Sequence, residues 1–108
     1  MYNKLTKVAP IALSAAEINK KLAEIPSWLV VNNVLTRDIR FKDYETTWAF
    51  LNQVAMRSHL WGHHPTITTT YSQVKLELTT HSLENKVSDI DLKLAKRYER
   101  YVNLYEKN

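Results

Sequence analysis

The chain of 108 residues has no cysteine, a single glycine and three prolines. Without cysteine there is no disulfide framework, no thiolate metal site and no thiol nucleophile, so any zinc would rest on histidine and carboxylate ligands. A reducing compartment is compatible with that composition. No apolar run approaches the roughly 20 residues that a membrane helix needs, which predicts a soluble, cytoplasmic protein. Charge of neither sign dominates: 15 Lys and Arg stand against 11 Asp and Glu, scattered along the chain for a formal net charge of +4. The densest basic cluster, residues 93–100 (KLAKRYER), is broken by Tyr98 and Glu99 and reads as a solvated helix face, so neither nucleic acid nor membrane is expected as a partner. With 44% hydrophobic residues, a chain of this length builds one core, and residues 1–108 are read as a single domain.

Histidine and glycine are scarce but not dispersed. Residues 58–66, SHLWGHHPT, hold three of the four histidines and the only glycine. The pattern around this stretch supplies a frame for it. Ser14 and Glu17 form a capping box that opens a first helix running to about Glu24, and Pro26 ends it. The N-terminal apolar run is too short, and too interrupted by Pro10, to be a signal peptide. Residues 28–31 and 34–41 flank Asn32-Asn33, a pair that tolerates left-handed backbone and suits a tight hairpin, with Leu35, Ile39 and Phe41 on one face.

Asp43 is placed to cap a long second helix in which Tyr44, Trp48, Leu51, Ala55 and Ser58 recur at spacings of three and four. Gly62 stands where helices finish on a left-handed residue, and Pro65 forces His64 into extended backbone. Two strands follow, 66–71 and 74–79, with the turn expected near Ser72-Gln73. Ser88 and Asp91 open the last helix with a second capping box, and Ile90, Leu94, Tyr98, Tyr101 and Tyr105 form its apolar stripe, read as core or oligomer interface. The order helix, two strands, helix, two strands, helix predicts an α+β fold: a four-stranded antiparallel sheet with helices on one face. Its uncovered surface predicts a homodimer or homotetramer.

A hairpin centred on Ser72-Gln73 would set His64 directly opposite His81, and a three-residue loop would set His63 there instead, with Cβ atoms roughly 5 Å apart. Exposed imidazoles have no packing reason to gather, so this convergence points to chemistry. A metal site is disfavoured: Gly62 ends the helix before His63 and spoils its i, i+4 relation to His59, no Glu follows His59, and adjacent His63 and His64 diverge in extended chain. The zinc hydrolase or lyase reading therefore stands second to metal-free acid–base catalysis, since histidines titrate near neutrality and can supply donor and acceptor in one pocket.

The spaced set His63-His64-Pro65, Tyr71, His81 and Asp91 resembles the signature of the pterin-4a-carbinolamine dehydratases. Residues 35–44 (LTRDIRFKDY), Trp48-Ala49-Phe50 and LSAAEI at 13–18 are similar to the family's second strand, central helix and first helix, so that the resemblance spans about residues 13–105. It implies a cofactor-free hydro-lyase that converts 4a-hydroxytetrahydropterin, left by aromatic amino-acid hydroxylases, into quinonoid dihydropterin and water. By position it puts His63, His64 and His81 in the pterin pocket, His63 and His81 as the acid–base pair and His64 as the residue that binds and orients the ring. It further implies that Asp91 orients or charge-balances a histidine and that Trp28 packs near the pocket. The chain departs from the family pattern at His59, at Ile67 and at Trp61-Gly62. Some animal members of the family also act as dimerisation partners of a transcription factor, which keeps a protein-binding module open as an alternative.

Overall fold

The computed structural model describes residues 9–106. Its order is α1 (Ala15–Leu22), β1 (Leu29–Val31), β2 (Val34–Arg40), α2 (Tyr44–Leu60), β3 (Thr66–Thr70), β4 (Gln73–Leu78), one 3₁₀ turn (His81–Leu83) and α3 (Asp89–Glu106). The four strands form one antiparallel sheet in the order β1-β2-β4-β3. Burial alternates along β4: Val74, Leu76 and Leu78 are buried while Gln73 and Lys75 are exposed. One face of the sheet therefore carries the core and the other meets water, as expected of an antiparallel sheet covered by a single helical layer.

Local chemistry sets each boundary. Ser14 and Glu17 satisfy each other's backbone amides in a complete capping box, and Asn32 and Asn33 both adopt positive φ to make the β1–β2 hairpin. Asp43 caps α2 by accepting from the Thr46 amide at 2.7 Å, which satisfies one of the donors a helix start leaves unpaired. The core joins Leu35 and Ile39 of β2, Phe41, the β4 trio, Phe50 and Val54 of α2, and Leu94, Tyr98 and Val102 of α3. Each fully buried Leu contributes about 1.5–3 kcal/mol of transfer free energy, so these layers hold α2 and α3 firmly on the sheet.

Two expectations change. The buried face of α2 is Thr47, Phe50, Leu51, Val54 and Ser58. Of the stripe expected there, Leu51 and Ser58 are buried, whereas Tyr44, Trp48 and Ala55 face outward. The aromatic residues imitate a buried stripe because they pack on each other at the surface: Tyr44 lies 6.2 Å from Trp48 and stacks on Tyr71 at 6.4 Å. The second hairpin turns on Tyr71-Ser72 rather than Ser72-Gln73, pairing Thr70 with Gln73. Tyr71 takes a positive φ of 50°, an arrangement that a Tyr-Ser pair does not advertise, whereas Asn-Asn does.

At the cap of α2, bonds from Thr46, side chain first and amide second, hold the Asp43 carboxyl below its ordinary value. A depressed folded-state value means stability that is present above the unfolded value near pH 4 and lost as pH falls through the folded one. Asp43→Ala is accordingly expected to destabilise the protein at pH 7 and to differ progressively less from the parent as pH falls toward 3, read by urea denaturation across that range. A pH-independent difference would show that the cap acts without its charge.

Candidate active site

The end of α2 positions the first histidine by backbone geometry alone. Trp61 closes the helix and Gly62 follows at φ 65°. The Gly62 amide donates to the His59 carbonyl at 3.1 Å and the His63 amide to the Ser58 carbonyl at 3.0 Å. This crossed pair is a Schellman closure, which requires a left-handed residue and favours glycine. The single glycine of the chain thus turns His63 back toward the core, where it is 2% exposed.

There His63 meets the first turn of α3. Its Nε2 lies 2.5 Å from Oδ1 of Asp91, which is fully buried. A carboxylate only accepts, so Nε2 carries the hydrogen. The other carboxylate oxygen of Asp91 accepts from the Ser88 amide at 2.9 Å and from the Thr80 hydroxyl at 2.8 Å. Ser88 Oγ lies 2.6 Å from Thr80 Oγ1 and 3.2 Å from the carboxylate; two hydroxyl hydrogens serve these contacts, and the shorter one makes Ser88 the donor to Thr80. Asp91 therefore does two things at once. It caps the helix that carries it, and it holds an imidazole from another element. Breaking such a buried pair by removing one partner typically costs about 3–5 kcal/mol, because the remaining charge has no compensation.

Thr80 links this pair to the last histidine. Its amide and carbonyl bond Lys86, Leu83 and Asn85, closing a tight loop in which Glu84 and Asn85 both adopt positive φ. Next to Thr80 in the chain, His81 starts the 3₁₀ turn and its Nδ1 lies 2.7 Å from Oδ1 of Asn85. That amide oxygen accepts, so Nδ1 holds the hydrogen and the lone pair of neutral His81 falls on Nε2. His81 is exposed, as is His64, whose ring stands 5.8 Å from that of His59.

The observed register overturns the cross-strand facing expected of His81. Pairing of β3 with β4 ends at Thr66 and Glu77, so His63, His64 and His81 all lie beyond the ladder and none sits opposite another within it. Side-chain bonds run from His63 through Asp91 to Thr80, and His81 follows Thr80 in the chain, its own ring bonded to Asn85. Trp28 is 1% exposed in the core, stacks on Tyr98, and its indole N–H donates to Glu99 at 2.8 Å. Among the described residues no group of three or more His, Asp or Glu is placed to hold a metal ion, and His63 lies outside α2, away from the helical spacing a His59–His63 chelate needs. Thr80 and Asn85 carry no signal in the sequence, and Ser88 is visible there only as a cap.

Beneath the site, Tyr98 and Ser58 join α3 to α2. Ser58 donates its hydroxyl to the Val54 carbonyl, so Tyr98 is the donor in its 2.5 Å contact with Ser58. Burial pushes the Tyr98 phenol well above its ordinary value, which keeps it a donor.

The family model described as Pterin 4 alpha carbinolamine dehydratase matches residues 11–101. A Saccharomyces cerevisiae protein provisionally named pterin-4-alpha-carbinolamine dehydratase is 47% identical, with 95% of this chain and 97% of the yeast protein covered. A Prochlorococcus marinus (strain MIT 9303) protein of the same provisional name is 34% identical over 87% of this chain and 93% of its own. The crystal structure of a transcriptional coactivator/pterin dehydratase from Brucella melitensis superposes with a TM-score of 0.80 at 32% identity, covering 84% of this chain and 98% of that one.

Thr80→Val removes the hydroxyl that Asp91 and Ser88 share while keeping the shape. It is expected to lower the free energy of unfolding by about 1–3 kcal/mol, the cost of an unsatisfied buried polar group, whereas Thr80→Ser should lose much less. An unchanged urea midpoint in Thr80→Val would show that the shared hydroxyl contributes nothing to stability.

Proposed function

The chain belongs to the pterin 4 alpha carbinolamine dehydratase family and is a hydro-lyase of that class, and we propose that it expels water from a 4a-hydroxytetrahydropterin by histidine acid–base catalysis. One observation carries the mechanism: a buried, carboxylate-bound imidazole, His63, is tied through Asp91 and Thr80 to the turn that presents His81. In this reading His81 uses the lone pair on Nε2 to take the proton from N5 of the pterin. The electrons of that N–H bond become the second bond between N5 and C4a, the bond from C4a to oxygen breaks, and the departing hydroxyl takes the Nδ1 proton of a doubly protonated His63, whose Nε2–H stays on Asp91, to leave as water; one proton has then passed from His63 to His81, and exchange with solvent in the emptied site restores both.

The environment of each group suits its role. Asp91 sets a carboxylate against the His63 ring, and burial shields the ring proton from bulk water. His81, held through Nδ1 by Asn85, keeps its ring orientation while its proton exchanges with solvent after each turnover. His64, exposed beside His59, binds and orients the ring. The step needs no electron acceptor, because elimination leaves the summed oxidation level of pterin and water unchanged. It fits a role in pterin recycling for aromatic amino-acid hydroxylation, in the cytoplasm. No helix among the described residues is long and apolar enough to cross a membrane.

We further propose that the chain works as a homodimer or homotetramer through the outer face of α2, where Trp48, Met56 and Leu60 are 40%, 68% and 40% exposed. Isolated apolar side chains are ordinary at a surface, but a stripe along one helix marks an interface. Met56→Glu is expected to halve the mass or more in analytical ultracentrifugation, and an unchanged mass would remove α2 from the interface.

His81→Ala and His63→Ala are expected to lower kcat by about 10²–10⁴-fold, the usual contribution of a positioned acid or base, while His64→Ala acts mainly on KM. Loss of the 4a-carbinolamine absorbance, followed on metal-free protein, measures this. Unchanged rates in both of the first two variants, with folding verified by circular dichroism, would exclude the mechanism.

A further inference from the structure

We propose that Arg57, Lys93 and Arg97 form, around Trp61, a binding site for a phosphate group. The Arg57 guanidinium lies 5.2 Å from the Trp61 ring centre, the Lys93 ammonium 5.0 Å and the Arg97 guanidinium 5.4 Å. Trp61 itself is 6% exposed. An indole ring has two faces, so at least two of the three cations share one. Cation–π attraction rewards each of them singly but does nothing for the repulsion between them.

That repulsion is not offset by a close ion pair among the described residues. None of the three takes part in an ion pair with Asp or Glu among the described residues, whose ion pairs are Arg37–Glu99, His63–Asp91 and Lys96–Glu24. Arg57 donates to the neutral Tyr101 hydroxyl, at 3.2 Å. Lys93 and Arg97 are four residues apart on α3, the spacing at which like charges oppose helix formation. Arg100 continues the same stripe one turn on and is exposed. Covering an indole needs one long side chain, and three cations from two helices exceed that need.

A phosphate group answers the arrangement better than a carboxylate. It carries a charge of about −1.5 to −2 and offers three acceptor oxygens, which matches two guanidinium forks and one ammonium: the forks bind in pairs of parallel bonds and the lysine as a point charge. The place is also joined to the histidine centre. Trp61 precedes His63 by two residues and Lys93 follows Asp91 by two, so an occupant bridging α2 and α3 would brace the two segments that meet at the His63–Asp91 bond. The cation cluster is independent of the acid–base assignments and stands whether or not they hold.

The test titrates the full-length protein with inorganic phosphate, and in parallel with pyrophosphate, at ionic strength held constant with sodium chloride, reading tryptophan emission and the thermal midpoint. Saturable binding is expected, weakened at least tenfold in Lys93→Gln/Arg97→Gln and retained in Trp48→Phe, which removes a distant fluorophore. In the absence of phosphate the double variant should be at least as stable as the parent, because it removes unpaired repulsion; that comparison also verifies that it folds. Tighter binding of pyrophosphate than of phosphate would identify a phosphorylated small molecule as the source, and equal binding would identify the free ion. No saturable change with either anion, or a change that the double variant preserves, would overturn the proposal.

Discussion

The bond between His63 and Asp91 is the constraint on which the rest of the site depends. It connects the end of α2 to the beginning of α3, and both partners are withdrawn from water. Burying two such groups costs several kcal/mol each unless every remaining donor and acceptor is satisfied. The surrounding structure meets that condition: Ser88 supplies its amide, Thr80 its hydroxyl, and no buried side-chain polar atom among the described residues is left without a partner. A small domain stable by about 5–15 kcal/mol tolerates a buried pair only where so many neighbours are arranged around it. In the proposed mechanism, activity and architecture rest on the same few atoms.

Much of the frame around that bond is legible in the residues alone. Ser14 with Glu17, the Asn32-Asn33 turn, Asp43 and Gly62 each have a chemistry that acts within a few residues, and each marks an element boundary where expected. The α+β order and the antiparallel sheet follow from those boundaries together with the alternation in β4. His63, His64, His81 and Asp91 stand out as candidates through their spacing and the family it resembles, and of these the structure joins His63 to Asp91.

What is not legible depends on distant packing. Tyr71 adopts a left-handed conformation without being Asn or Gly, and stacks on Tyr44 of another element; nothing in residues 66–79 announces that turn, so the register is misplaced by local reasoning and with it the way the histidines meet. The same stacking makes the outer face of α2 resemble its inner one. The partner of the Trp28 indole is equally hidden, since Glu99, 71 residues away, takes its N–H. Thr80 is the clearest case: an ordinary threonine in a threonine-rich strand region, it becomes a junction only once Asp91 and Ser88 have been brought against it by the fold.

The sharing of Asp91 between a helix cap and an imidazole has one more consequence, for the order of assembly. The carboxylate and its histidine partner are 28 residues apart in sequence, and the stretch between them contains the β3–β4 hairpin and the loop that carries His81. Closure over that distance comes after local turns have formed, whereas the Ser88–Asp91 cap needs only its own turn. A partly folded chain thus contains its helices, its turns and all its histidines while lacking the bond that makes them a site. In the proposed mechanism, recovery of turnover during refolding reports the docking of α3 rather than the appearance of secondary structure, and the reaction becomes a clock for the last tertiary step.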